Sequence, residues 1–224
     1  QEMAGAVPAV LDRERVDRLT DESLAWLDRV RPALDRRARD GRVRRCHGDL
    51  HLRNIVLLDG KPTLFDAIEF SEELATVDVL YDLAFLLMDL EHRGLNETAN
   101  AVLNRYLMRG GDYSGLDALP LFLSMRAAIR AHTTAAAALN EDAKGDGGKG
   151  DDDKAGEAQA YLDLALSFLV PAQARLVAVG GLSGSGKSTV AAALAPGLGR
   201  QPGSLVLRSD GIRKRLCGVA PETS

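Results

Sequence analysis

Cysteine is nearly absent: Cys46 and Cys217 are the only two in 224 residues, and their wide separation fits neither a disulfide framework nor a zinc site. The reducing cytosol is therefore the expected compartment. Basic residues show no excess, with 28 Lys plus Arg against 32 Asp plus Glu and a net charge of -4, so no global field draws nucleic acid. Long apolar runs are missing too. Residues 80–90 and 162–170 fall short of the roughly 18 residues a membrane span needs and are interrupted by Asp82, Asp89 and Ser167. Residues 1–20 have no apolar core of the signal-peptide kind. Glycine is scarce at the start, where residues 1–42 hold only Gly5 and Gly41.

What is present is a folding composition, 46% hydrophobic and 27% charged. Val16, Leu19, Leu24, Leu27, Val30 and Leu34 recur at helical spacing over residues 16–39, with a break expected near Pro32. A short strand is expected at 43–46, then a polar stretch at 47–54. Two apolar runs, 55–58 and 61–65, flank Asp59-Gly60, which predicts a β-hairpin. Helical spacing returns over 77–92 and predicts further helices near 96–109 and 117–139. Residues 144–156, KGDGGKGDDDKAG, read as a charged flexible loop in which Asp151, Asp152 and Asp153 are solvated rather than a metal site. Helix is expected again over 155–169. Residues 175–179 then read as a buried strand, which puts a domain boundary near 171–175.

Chemistry concentrates in two strings. The first, His47-Gly48-Asp49-Leu50-His51-Leu52-Arg53-Asn54, has the H-x-D-x-x-x-x-N spacing of a kinase catalytic loop, and Asp66 follows twelve residues later. Phosphoryl transfer from MgATP needs a carboxylate beside the acceptor hydroxyl and oxygen ligands that hold magnesium. Asp49 suits the first role, and Asn54 with Asp66 the second. If Asp59-Gly60 is a two-residue turn, Leu58 faces Lys61, and counting outward puts Asn54 opposite Phe65 and next to Asp66. The same count puts Pro62 in a pair that needs no N–H. Taken singly, the three would be a turn residue, an end cap and a strand terminator.

HGDLHLRN, followed by LFDAIEF and by Asp78-Val79-Leu80-Tyr81-Asp82-Leu83-Ala84, resembles the aminoglycoside phosphotransferase family, whose fold is related to protein kinases. The nearest likeness is to bacterial proteins that fuse such a domain to a P-loop kinase-like domain. The resemblance implies that Asp49 is the catalytic base, that Asn54 and Asp66 bind Mg2+, and that His47 and Asp82 brace the loop. Thr76-Val77-Asp78-Val79 departs from the Gly-Asp-Pro common at that turn. A kinase-like fold also needs a glycine-rich lid and a lysine-glutamate pair over the ATP phosphates. Neither can be read in residues 1–42, so an upstream N-lobe is expected, with negligible turnover from this chain alone.

The second string, Gly181-Leu182-Ser183-Gly184-Ser185-Gly186-Lys187-Ser188, matches the P-loop G-x-x-x-x-G-K-[ST]. Glycines let backbone N–H groups approach phosphates, and the following helix adds its positive end. Gly181, Ser183, Gly184, Ser185, Gly186 and Thr189 would cradle ATP, Lys187 would reach the β- and γ-phosphates, and Ser188 would ligate Mg2+. Residues 205–207 are expected to form a second buried strand. At its end Asp210 and Arg213 are either contacts to the phosphate acceptor or, for Ser209 and Asp210, a helix cap.

The expected architecture is therefore α+β: a mainly helical, kinase-like C-terminal lobe with a catalytic β-hairpin over 1–174, then a truncated α/β P-loop domain over 175–224. The expected activity is ATP-dependent phosphorylation of a small-molecule hydroxyl, with ATP and Mg2+ as cofactors. An ATP-binding regulatory or scaffold protein carrying a pseudokinase domain is the alternative. Between residues 67 and 92 stand Glu69, Glu72, Glu73, Asp78, Asp82, Asp89 and Glu91 without a Lys or Arg. Two readings of this acidic stretch remain, a wall for a cationic acceptor and ordinary capping, bracing and solvation. No nucleic-acid or membrane partner is expected.

Overall fold

The computed structural model describes the backbone of residues 10–142 and 149–219, and their side chains outside 141–153. Its elements are α1 (Arg13–Arg39), β1 (Val43–Arg45), β2 (Ile55–Leu58), β3 (Lys61–Leu64), α2 (Glu72–Ala75), β4 (Thr76–Asp78), α3 (Val79–His92), α4 (Asn96–Gly110), α5 (Leu119–Asp142), α6 (Lys149–Leu169), α7 (Lys187–Leu194) and α8 (Ser209–Leu216). The architecture is mostly helical, with two small antiparallel sheets, β1 with β4 and β2 with β3. The chain divides into two units, one of Gln1–Met88 with Ser114–Val170 and one of Asp89–Tyr113 with Pro171–Ser224. The second unit therefore joins α4 to the C-terminal segment, a grouping no local pattern announces.

In the first unit α1 starts where the Asp12 carboxylate accepts the Arg15 N–H at 2.9 Å, and it buries Val16, Leu19, Trp26, Val30, Ala33 and Arg37 along one face. Pro32 lies inside this helix rather than breaking it. A helix-interior proline costs roughly 3 kcal/mol. Burial of Trp26 and Val30 on one side of it and of Ala33 and Arg37 on the other outweighs that cost. The Trp26 indole N–H also donates to the Leu169 carbonyl at 3.2 Å. On α5, Ala127, Ala131, Ala135 and Ala138 are buried at helical spacing, so small side chains let α5 lie close against α6.

Helix α6 begins at Lys149, earlier than the expected loop allows. The expected loop residues 144–148 lie outside the described residues, as do the side chains of Asp151–Asp153, but 149–156 are helical. Once Ala158, Tyr161, Leu162 and Ala165 are packed, each further turn propagates without a new nucleation cost. Thr76–Asp78 is also a strand and not the start of a helix, because the pairing Val43↔Asp78 through Arg45↔Thr76 takes up its backbone.

The second unit corrects the expected α/β fold. Residues 175–179 and 205–207 are extended but form no strand, and Leu176 is 93% exposed. A parallel strand needs a neighbour to accept its ladder, and no strand of this unit occurs among the described residues. Residues 204–206 are held instead by α4. Asn100 donates to the Pro202 and Ser204 carbonyls, and Asn104 donates to the Ser204 carbonyl while accepting the Val206 N–H at 2.7 Å. No helix among the described residues is long and apolar enough to cross a membrane.

Candidate functional site

The hairpin closes as Leu58↔Lys61, Leu57↔Pro62, Val56↔Thr63 and Ile55↔Leu64. Its turn residues Asp59 and Gly60 both have positive φ, 51° and 74°, as the tight primed turns of hairpins require. One step outward the Phe65 N–H donates to the Asn54 carbonyl at 3.1 Å, so Asp66 stands beside Asn54 at the open end. Asp66 is exposed in the left-handed region at φ 60°, a conformation uncommon for a residue with a side chain.

Asn54 is 6% exposed and sits in the short 3-10 turn Leu52–Asn54. Its amide nitrogen donates to both the Asp49 carbonyl and Asp49 Oδ2, each at 3.0 Å. Both partners are acceptors, which fixes the amide orientation: nitrogen toward Asp49, oxygen left over. That leftover oxygen and the Asp66 carboxylate are the hard oxygen donors a magnesium ion takes, one or two protein ligands completed by phosphate. Among the described residues no cluster of three or more His, Cys, Asp or Glu gathers to hold a metal, here or elsewhere, so an ion at this site would draw most of its ligands from phosphate and water. The donor set fits Mg2+.

Asp49 Oδ2 also meets His51 Nε2 at 3.2 Å, while Oδ1 makes no hydrogen bond among the described residues. The loop that presents Asp49 is braced from beneath. Asp82, in the first turn of α3, accepts the His47 N–H at 3.1 Å and the Gly48 N–H at 2.9 Å. The His47 ring reaches the Phe65 carbonyl through Nε2 at 2.9 Å, which ties residues 47–54 to the end of β3; His47 Nδ1 is buried without a partner among the described residues. Gly48 has φ 83°, and a Cβ there would stand 2.8 Å from Ile68 Cδ1, so any other residue at this position is strained.

In the second unit the glycine-rich residues 181–186 precede α7, whose N-cap Gly186 is left-handed and supplies no side-chain cap. No side chain of the cap residue therefore satisfies the first-turn N–H groups of α7. A Cβ on Gly181 would meet Ser185 Oγ at 2.8 Å. Lys187 Nζ donates back to the Leu182 carbonyl at 2.5 Å. A cleft of about 1090 Å³ is lined by Ser183, Gly184, Lys187, Ser188, Arg208 and Asp210, among others. Gly181, Ser185, Gly186 and Thr189 do not line it, and neither does Arg213. Arg208 occupies the cap position of α8 and makes no side-chain cap bond, so neither Ser209 nor Asp210 caps the helix. Asp210 instead pairs with Arg213 at 2.8 Å and Lys214 at 3.1 Å, and those hydrogen bonds hold its carboxyl below the usual range.

A family model described as "Phosphotransferase enzyme family" matches residues 1–119, over half of the chain and across the whole β2–β3 hairpin. The chain belongs to the phosphotransferase enzyme family. Two curated relatives, one from Mycobacterium tuberculosis (strain ATCC 25618 / H37Rv) and one from Mycobacterium bovis, are each 35% identical over 185 residues, which is 82% of this chain and 34% of theirs. Both are named only as uncharacterized proteins. The chain thus spans about a third of the length of the curated relatives it matches. No solved structure matches it significantly.

For a phosphotransferase-family chain the acidic stretch is largely internal. Asp78 takes a bidentate pair with Arg37, both bonds at 2.7 Å, and also accepts the Leu80 N–H; Asp89 pairs with Arg93 at 3.0 Å; Asp82 braces the loop; Glu91 is buried. Glu69 and Glu73 are exposed, and Glu72 pairs with Arg45 at 3.3 Å. Sequence reading missed Arg126, a 7% exposed guanidinium on α5 that donates to the Gly48 and Tyr81 carbonyls and lies 4.0 Å over the Tyr81 ring and 4.8 Å over Phe85. Burial pulls its basicity down, against the opposing influence of Tyr81 and Asp82. Nothing local distinguishes Arg126 from the solvated arginines of α1.

Proposed function

We propose that this chain carries the base and metal-binding half of an ATP-dependent phosphotransferase acting on a small-molecule hydroxyl. The observation that carries the reading is Asn54, whose amide nitrogen is spent on Asp49 and whose backbone carbonyl takes the Phe65 N–H next to Asp66. Asp49 is the base that takes the acceptor's proton, and Asn54 with Asp66 are the magnesium ligands. MgATP, when bound, supplies the phosphoryl group and the charge neutralisation its transfer needs. His47, Gly48, Asp82 and Arg126 keep Asp49 at a fixed height above α3. The internal use of Asp78, Asp82, Asp89 and Glu91 leaves Glu69, Glu73 and the Arg45-paired Glu72 as the exposed carboxylates for a cationic acceptor, so a neutral hydroxyl compound fits equally well.

The second unit supports a further proposal, a P-loop ATP site in which the N–H groups of α7, Lys187 and Ser188 receive the phosphates and their magnesium. Its basis is the loop's glycine geometry, the uncapped helix start and the cleft they border. Asp210 and Arg213, paired with one another, are offered as contacts to that site's acceptor.

The test uses the protein as the cell makes it, with ATP and a panel of hydroxyl acceptors. Asp49→Asn should lower turnover by about 10²- to 10⁴-fold while leaving ATP affinity unchanged, the scale of a lost general base. Asn54→Ala or Asp66→Asn should raise the magnesium concentration needed for half-maximal rate. Wild-type turnover in Asp49→Asn would sink the assignment. ATP binding with no turnover on any acceptor would favour a regulatory pseudokinase.

A further inference from the structure

The side chain that sets Asp49 is His51, and its two ring nitrogens are both engaged. Nδ1 accepts the Arg53 N–H at 3.2 Å and so caps the turn Leu52–Asn54. A nitrogen that accepts a hydrogen bond carries no proton, so in the neutral ring the proton is on Nε2. Nε2 lies 3.2 Å from Asp49 Oδ2 and faces it as an ion-pair contact. The ring is held in place by an edge-on contact with Phe85, centroids 5.1 Å apart, and its side chain is 14% exposed against 42% for Asp49.

A carboxylate by itself has two equivalent oxygens and turns freely about its terminal torsion. Here Oδ2 receives the Asn54 amide at 3.0 Å and has His51 Nε2 beside it at 3.2 Å, and Oδ1 receives nothing among the described residues. We propose that His51 is a positioning residue that, together with Asn54, saturates Asp49 Oδ2 and thereby makes Oδ1 the one oxygen that takes the acceptor's proton. This rests on the reading of Asp49 as the base. His51 touches neither nucleotide nor acceptor in this scheme. It stops the carboxylate from rotating and keeps Oδ2 from competing for the hydroxyl, so its loss lowers the fraction of encounters in which base and hydroxyl align. The protein has four histidines in all, which makes this one accessible to spectroscopy.

Two substitutions separate the roles of the two nitrogens. An asparagine amide can reproduce the Nδ1 acceptor that caps Arg53 but is too short to reach Asp49, whereas a glutamine amide places its N–H near the Nε2 position. In the full protein, His51→Asn should lower kcat by about 10- to 100-fold with KM for ATP unchanged, the scale of losing a partner that orients a functional group. His51→Gln should stay within about threefold of wild type. A merely structural cap predicts the reverse order, and full kcat in His51→Asn would overturn the proposal. Independently of turnover, ¹⁵N spectra assigned by loss of the signal in His51→Asn should show a protonated Nε2 and a bare Nδ1. An Nδ1–H tautomer would also overturn it. Undiminished kcat in Asp49→Asn is a separate result, and it would remove the base reading and this inference together.

Discussion

Arg37 shows how much one buried side chain carries. It is 1% exposed, forms the bidentate pair with Asp78 and donates to Ser114 Oγ at 3.1 Å. Asp78 is the last residue of β4 and accepts the Leu80 N–H at 2.8 Å, so this one ion pair joins α1, the β1–β4 sheet and the start of α3. Arg37→Met would leave that carboxylate without its cation, and breaking a buried pair from one side costs about 3–5 kcal/mol. Urea denaturation should show a loss in that range. Glu91 presents the opposite case, because neither of its buried carboxylate oxygens has a partner among the described residues, and burial pushes its pKa up to about 7. A raised carboxyl pKa means that the folded state holds a proton the unfolded chain releases near pH 4.5. Stability therefore falls as the pH rises from about 4.5 to about 7 and stays reduced above it. Glu91→Met should flatten that part of the stability profile and raise the melting temperature at pH 8 more than at pH 5.

At the scale of elements, the hairpin and α1 illustrate two different kinds of determination. The β2–β3 register follows from Asp59-Gly60 alone, because a two-residue turn leaves a single pairing and the left-handed φ values suit those residues. Helix α1 is set by its surroundings. Proline at position 32 removes an N–H that would reach the Asp28 carbonyl and crowds the preceding turn. Since the backbone there is already helical, Pro32→Ala should restore a bond without moving the chain. A gain of about 1 kcal/mol, read as a rise in melting temperature, is expected. A loss would mean that the proline ring itself packs in a way alanine cannot replace.

At the scale of the whole molecule, the C-terminal segment owes its order to α4. Asn100 and Asn104, four residues apart, present their amides on one helix face and grip the backbone of residues 202–206. Arg215 adds donors to the Leu107 and Met108 carbonyls at the end of the same helix, where a cation is favoured. Asn104→Ala should raise amide hydrogen exchange over 202–206 by about tenfold, the loss of roughly one hydrogen bond's net stability. Exchange in α5 and α6 should stay as it is.

The sequence by itself determined the chemistry of the candidate site and the local frame that holds it. His47, Asp49, Asn54 and Asp66 are tied to one turn and one hairpin, and short-range geometry brings Asn54 to Asp66 whatever the rest of the chain does. The helices α3, α4 and α5 were legible for the same reason, since a 3.6-residue period is a local signal. Tertiary structure decided what depends on a partner distant in sequence. It carried α1 through Pro32, extended α6 into a glycine-rich stretch, and recruited Arg126 from α5 to the Gly48 carbonyl. It also left 175–179 and 205–207 without a ladder, because an apolar run becomes a strand only where another strand accepts its hydrogen bonds. Spacing along the chain sets which groups meet within a turn or a hairpin, and burial sets which of them keep their partners.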